Sequence, residues 1–246
     1  MDALVPILCF NNNNNKNYNN KRIYNAPVPK DTKRQIFVLQ GEWPLAVDPS
    51  QTEVERAIQR VEACIDEICL WMKSNFLKLN ETKTEFMIVG SKQHRSKITD
   101  PTLRIGEAII TPSGKVKNLG VIMDSELKMN NHISAVSQAV CLSLRSIGLI
   151  RKYINTQTAE LLIHSLVMSK LDMCNSLMYG VNKSQLFRLQ RLQNMAARLV
   201  TRSPKSSHIT PILKQLHWLP VEQRIVFKLG LLVFKSSHNM APSAVT

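Results

Sequence analysis

The sequence predicts an α+β chain, a helix with a small antiparallel sheet followed by an all-α basic helical domain. Three observations carry this. Short apolar runs punctuated by Gly90, Gly106 and Ser113-Gly114 occupy the stretch from Leu77 to Met123, as strands and turns do. Beyond Asp124 the apolar period becomes three to four residues, as in helices. Charge divides at the same place: residues 127–246 hold 15 Lys and Arg against 3 Asp and Glu, 12 of the 14 excess positive charges. We therefore divide the chain into a low-complexity, irregular leader (1–49), an α+β part (50–125) and a basic helical domain (126–246).

Taken in order, NNNNNKNYNN at 11–20 is low-complexity and reads as disordered, since Asn favours turns and contributes little to a core. Between Lys21 and Pro49, four prolines leave only Gln35 to Leu39 strand-like. Ser50 and Glu53 have capping-box spacing, and Val54, Ile58, Val61, Ile65, Ile68 and Met72 then mark one face of a long amphipathic helix. Leu77–Leu79, Glu85–Val89, Leu103–Ile105, Ala108–Thr111 and Val116–Met123 suggest a small sheet packed on it. Apolar residues at Ile133, Val136, Val140, Leu144, Ile147 and Ile150, then at Ala159, Ile163, Leu166, Leu171, Cys174 and Met178, predict two more helices, the first capped by Asn130 or Asn131. Another runs from about Ser184 to Val200. A last one follows Pro220, with Glu222 in its first turn.

With 246 residues the chain can bury one large or two small cores, and 44% hydrophobic content fits a soluble globular protein. Its net charge of +14 favours a polyanionic partner, nucleic acid first. No membrane partner is expected, because the longest apolar run, Ile225–Phe234, contains Lys228 and is too short to span a bilayer. Five cysteines, Cys9, Cys64, Cys69, Cys141 and Cys174, lack paired spacing and read as buried thiols. The N-terminal MDALVPILCF has neither a basic flank nor a small-residue cleavage site, so nucleus or cytoplasm is the expected location.

The strongest binding pattern lies in Ser184–Arg202. At roughly 100° per residue, Leu186, Leu189, Leu192, Ala196, Leu199 and Val200 fall on one side and Arg188, Arg191, Arg198 and Arg202 on the other. Such a row, about 20 Å long, can follow a phosphate backbone. An ordinary solvated face is the alternative, and the wider basic surplus favours nucleic-acid contact. Lys205, with Ser203, Ser206, Ser207 and His208, adds phosphate-holding donors, although alone it reads as a polar loop. Trp71, Trp218, Phe187 and Phe227 sit in apolar helical surroundings and read as core rather than stacking platforms.

Catalytic constellations are weak. Glu55, Glu62 and Asp66 share a helix face with Arg56 and Gln59, which is a solvated salt-bridge pattern. Asp124 and Glu126 could meet Mg²⁺ but better suit a turn. His132, His164, His208, His217 and His238 have no metal-ligand spacing, and no GxSxG, HExxH or phosphate-cradling glycine loop occurs. No catalytic residue, metal site or cofactor is expected.

IDEICLWMKSNFLKLNETKTEFMIVGS, RIGEAIITPSGKVKNLGVIMDSELKMNNHI, LRSIGLIRKYI, SKLDMCNSLMYG and LQRLQNMAARLVTRSPKSSHITPILKQLHWLPVEQRIVFK resemble, in that order, the rear of LINE-type (non-LTR) retrotransposon reverse transcriptases. The resemblance runs from about Asp48 to the C-terminus. It implies a truncated palm remnant followed by a thumb-like helical domain. By resemblance, Lys83, Thr84 and Glu85 form a palm block in which Lys83 approaches the incoming nucleotide's phosphates. Asn118, Leu119, Gly120 and Val121 would occupy the hairpin that holds a primer's 3′ end, and the arginine-faced helix would grip a template-primer duplex, RNA-DNA or DNA.

The family's metal-binding Asp-Asp turn should lie near Phe37–Pro44, where this chain reads FVLQGEWP, and no Asp-Asp pair occurs in the 246 residues. The family uses Mg²⁺ at those aspartates. The leader is too short for the preceding palm strand, fingers or endonuclease. The resemblance thus implies an RNA-directed DNA polymerase fragment, catalytically inactive and retaining at most template-primer binding. The alternative is an expressed relic of a transposable element with no selected activity. Truncation is also expected to leave an exposed palm edge open to aggregation or pairing.

Overall fold

The computed structural model describes residues 5–10, 37–38 and 51–240. The Asn-rich tract, Ser50 of the expected capping box and most of the 1–49 leader lie outside these residues, as does the side chain of Glu53. The fold is mixed α and β, and the chain divides into two compact units, one reaching Leu127 and the other beginning at Lys128.

The first unit runs β1 (Val5–Phe10), β2 (Phe37–Val38), α1 (Gln51–Ser74), β3 (Thr84–Val89), α2 (Lys92–Arg95), β4 (Leu103–Ile105), β5 (Ala108–Ile110), β6 (Lys115–Asn118) and β7 (Val121–Asp124). Instead of one small sheet, the described strands form a three-stranded antiparallel sheet, β2-β1-β3, and two hairpins, β4-β5 and β6-β7. Leu77–Leu79, expected as a strand, is an irregular link between α1 and the short 3-10 turn Glu81–Lys83. The strand expected across Val116–Met123 is broken at Leu119-Gly120. Both residues have positive φ, 47° and 90°, as a two-residue hairpin loop between the paired Asn118 and Val121 requires.

β3 explains why the apolar run Phe86–Val89 is nearly continuous: it is covered on both faces. Phe86 packs with Val61 and Ile65 of α1 and with Leu103 and Ile105, while Met87 and Val89 pack with Val116 and Met123 on the other side. Each such side chain contributes roughly 1.5–3 kcal/mol on burial. Its edges are also occupied. The backbone of β1 pairs along its whole length from Thr84 to Val89, and on the other edge Ser113 N donates to Phe86 O at 2.7 Å. The apolar face of α1 is used where the period places it, with Val54, Val61 and Ile65 buried. The helix closes when Leu77 N reaches back to Met72 O at 2.8 Å, which puts Phe76 in the left-handed region at φ 57°.

The second unit runs α3 (Asn130–Ile150), α4 (Thr156–Ile163), a π turn (His164–Met168), α5 (Ser169–Asp172), a 3-10 turn (Asn175–Met178), α6 (Lys183–Thr201), α7 (Ile209–Gln215) and α8 (Val221–Ser237). α6 is its central helix, with α3, α4, α7 and α8 packed around it. Leu189, Ala196, Ala197 and Val200 are fully buried along its inner face. Gln193, also fully buried, donates to Leu219 O at 2.8 Å, which fastens the link into α8. Asn155 and Asn182 cap α4 and α6 through their side chains. Asn130 and Asn131 do not cap α3; both lie within its first turn, the capping position is Met129 at φ 58°, and Asn130 Oδ1 accepts from Gln185.

The π turn explains one misplaced core residue. A π turn takes up an extra residue, so Val167 and Met168 turn inward, while Leu166, expected inside from an unbroken 3.6 period, is exposed. Cys174, also expected inside, is exposed because the helix ends at Asp172 and Cys174 stands in the left-handed region, at φ 52°, ahead of the 3-10 turn. Ile150, past the end of the inner stripe, is exposed as well. The buried-thiol reading fails more widely. Cys141 and Cys174 are exposed, Cys64 and Cys69 are half-buried, and the side chain of Cys9 lies outside the described residues. Among the described helices, α3 is long and apolar enough to cross a membrane by length and composition. It carries Arg145 and turns Ile133, Val136, Val140, Leu144 and Ile147 into the core of its own unit, while Leu142 and Leu149 on its other side are exposed.

Candidate nucleic-acid interface

The arginine face of α6 is determined by its apolar face. Because Leu189, Leu192, Ala196, Ala197 and Val200 are buried, residues on the opposite side of the same helix face outward. Arg188, Arg191 and Arg202 are exposed and Arg198 is half-buried. Arg188 donates to Ser134 Oγ at 3.3 Å, Arg198 to Ser207 O at 3.2 Å, and Arg202 to the carbonyls of Arg151 and Ile154 at 3.1 and 3.3 Å. Arg191 makes no hydrogen bond among the described residues. These partners are all neutral oxygens.

The acids of this unit lie elsewhere. Asp172 forms a bidentate pair with Arg224, Glu160 lies 3.7 Å from His164, and Glu222 sits in the first turn of α8, where a carboxylate complements the helix dipole. No described carboxylate therefore neutralises Arg188, Arg191, Arg198 or Arg202. A solvated salt-bridge face would interleave acids with the arginines, and this face does not.

The C-terminal end of α6 concentrates positive charge further. Arg151, only 6% exposed, donates to Leu199 O at 2.8 Å, Val200 O at 2.7 Å, Ile154 O at 2.9 Å and Thr156 Oγ1 at 3.3 Å. It thus satisfies carbonyls that the helix end leaves open. Burial first, and Arg202 beside it second, push its pKa down from the ordinary arginine value. Nothing in the spacing of the sequence marked Arg151 for this role, because the carbonyls of Leu199 and Val200 lie about fifty residues away. Lys205, in the loop after α6, is exposed, and Ser203 and Ser207 of that loop are tied to Thr201 and Pro204.

Phe187 and Phe227 are not core. They are 65% and 63% exposed, whereas Trp218 is buried and meets His164 edge-on with ring centroids 5.5 Å apart. Phe187 lies on the arginine side of α6, which an angular projection of the helix shows and a reading by apolar surroundings misses. Trp71 is half-buried.

In the first unit, the two blocks marked by resemblance lie side by side. Glu85 Oε2 accepts from Lys117 N at 3.4 Å, which joins the Lys83–Glu85 stretch to the strand ending at Asn118. Thr84 is buried and its hydroxyl donates to Asn80 O at 3.0 Å, so Lys83 is the exposed member of the three. At the hairpin tip Leu119 is exposed and Val121 buried. Asp124 and Glu126 form a turn: Asp124 Oδ1 accepts from Glu126 N at 3.2 Å, and Arg95 pairs with Glu126 at 3.1 Å. On α1, Glu62 accepts from Arg104 N at 2.7 Å, a structural tie between helix and β4. Among the described residues no group of three His, Cys, Asp or Glu is placed to hold a metal ion.

No family model, curated protein or solved structure matches this chain.

Proposed function

We propose that this chain is a portion of a LINE-type reverse transcriptase whose contribution is to hold a nucleic-acid template-primer rather than to catalyse polymerisation. The observation that carries the binding reading is the uncompensated arginine face of α6. Arg188, Arg191, Arg198 and Arg202 share one side of a helix, and no described acid of their unit is paired with them. Cations left without carboxylates attract a polyanion and gain further from the counterions it releases. Guanidinium groups also match phosphate oxygens in geometry. The absence of an Asp-Asp pair from the 246 residues supports the non-catalytic side of the reading, since two-metal phosphoryl transfer requires converging carboxylates.

Binding of the full chain to an RNA-DNA primer-template, followed across a salt series, tests this. We expect affinity in the micromolar range or better, falling steeply with salt. R188Q and R191Q should each reduce the salt slope by about one. These two are chosen because Arg198 and Arg202 also tie loop carbonyls and their removal would disturb the fold. Undetectable or salt-insensitive binding would sink the proposal and favour a relic without selected activity.

A further inference from the structure

On the outward side of α6, Lys183, Phe187, Arg191 and Met195 follow one another at intervals of four residues, and the line continues to Arg198 and Arg202. Phe187 is 65% exposed and Met195 52% exposed, unusual positions for a large aromatic and a methionine on a helix that has a well-filled inner face. The aromatic ring thus stands one helical turn from a lysine on one side and from an arginine on the other, with no acid between them. At the far end of the line, Arg202 grips the turn that carries Tyr153, which is 76% exposed and has Lys152 Nζ 4.7 Å from its ring centre.

We infer that this stripe binds single-stranded nucleic acid, with an unpaired base stacked on Phe187 and the flanking phosphates held by Lys183 and Arg191. The inference rests on the binding function proposed above and specifies its ligand. The argument is one of complementarity. A duplex presents a rail of phosphates and keeps its bases stacked on one another, so it satisfies the cations and leaves the phenyl ring in water. A single strand presents both phosphates and free base faces, and a ring between two cations satisfies both. Stacking is tolerant of sequence because every base has a π face, so no base-edge donors or acceptors are needed around Phe187.

Fluorescence anisotropy of the full chain with labelled oligo-dT of about 20 nucleotides, and with a hairpin duplex of similar charge, decides the matter. Oligo-dT should bind more tightly than the duplex at equal salt. F187A should weaken oligo-dT binding roughly tenfold while leaving its salt slope and the duplex affinity unchanged. R191Q should instead lower the salt slope for both probes by about one. The high exposure of Phe187 makes misfolding of F187A unexpected, and an unchanged circular dichroism spectrum would verify that. If F187A leaves oligo-dT affinity unchanged while R191Q weakens both probes, the single-strand inference fails and the phosphate-binding proposal stands. If neither probe shows salt-dependent binding, both fail.

Discussion

The two units use charge in opposite ways. Up to Leu127 the chain carries 17 Lys and Arg against 15 Asp and Glu, and its described carboxylates work as fasteners: Glu62 on Arg104 N, Glu85 on Lys117 N, Glu126 on Arg95. From Lys128 on, 15 basic residues meet 3 acids, and apart from the Arg224–Asp172 pair the arginines themselves do the fastening, mostly by donating to backbone carbonyls. A carboxylate paired with a guanidinium, as Glu126 is with Arg95, cancels the cation's field, whereas a carbonyl tie positions an arginine and leaves its charge available. The second unit can therefore be rigid and strongly positive at once.

The sharpest way to break this comparison is to remove one arginine from each unit. R151A leaves the carbonyls of Ile154, Leu199 and Val200 and the Thr156 hydroxyl without their buried donor, and we expect a loss of about 3 kcal/mol. R95A removes a partly exposed pair with Glu126 and a single carbonyl bond, from Nε to Gly90 O at 3.2 Å, and should cost about 1 kcal/mol. Urea unfolding of both variants measures the difference, and equal losses would mean that the buried set of bonds around Arg151 is worth no more than the partly exposed contacts of Arg95.

A smaller effect concerns pH. His132, in the first turn of α3 and 2% exposed, has its pKa lowered by burial. The unfolded chain, with an ordinary value near 6.5, therefore takes up the proton first as pH falls. The stability contributed by neutral His132 is complete above that value and declines as pH drops from it toward the lowered folded value. Urea midpoints measured between pH 7.5 and 5 should fall for the native chain and fall less for H132Q. Parallel slopes would show that His132 does not set the acid sensitivity of the second unit.

The smallest effect separates the units by thiol chemistry. Cys64 is pushed up by partial burial and then by Glu67. Cys69 is pushed up by burial, then by Asp66 and Glu81, with Lys73 opposing. Cys141 and Cys174 are exposed. Limited maleimide treatment followed by peptide mapping should label Cys141 and Cys174 before Cys64 and Cys69, because the thiolate is the reactive form. Labelling in the reverse order would contradict the packing of α1.

Much of the fold is legible wherever a periodic apolar face is long. α1, α3 and α6 all follow from residue spacing because each buries one continuous stripe. α7 is not legible in the same way, being seven residues with Pro211 inside it. Pro211 is tolerated only because the first-turn N–H groups of a helix have no intrahelical partner. β1 and its pairing with β3 are equally hidden, since the two strands are more than seventy residues apart and neither marks the other.

The arginine side of α6 was visible from angular spacing alone, but its meaning was not. Whether four guanidiniums remain available depends on where Glu160, Asp172 and Glu222 lie; the sequence puts Glu222 at the start of the last helix and Glu160 one turn from His164, and only the tertiary structure pairs Asp172 with Arg224. By itself the sequence determined the helical periods, the charge imbalance, the absence of an Asp-Asp pair and the ordered blocks that carry the resemblance, because these are properties of residue order. The tertiary structure decided that the register shifts through His164–Met168 and that Arg151 closes α6. Those outcomes depend on which surfaces meet across long separations, and burial and hydrogen bonding are settled by that meeting.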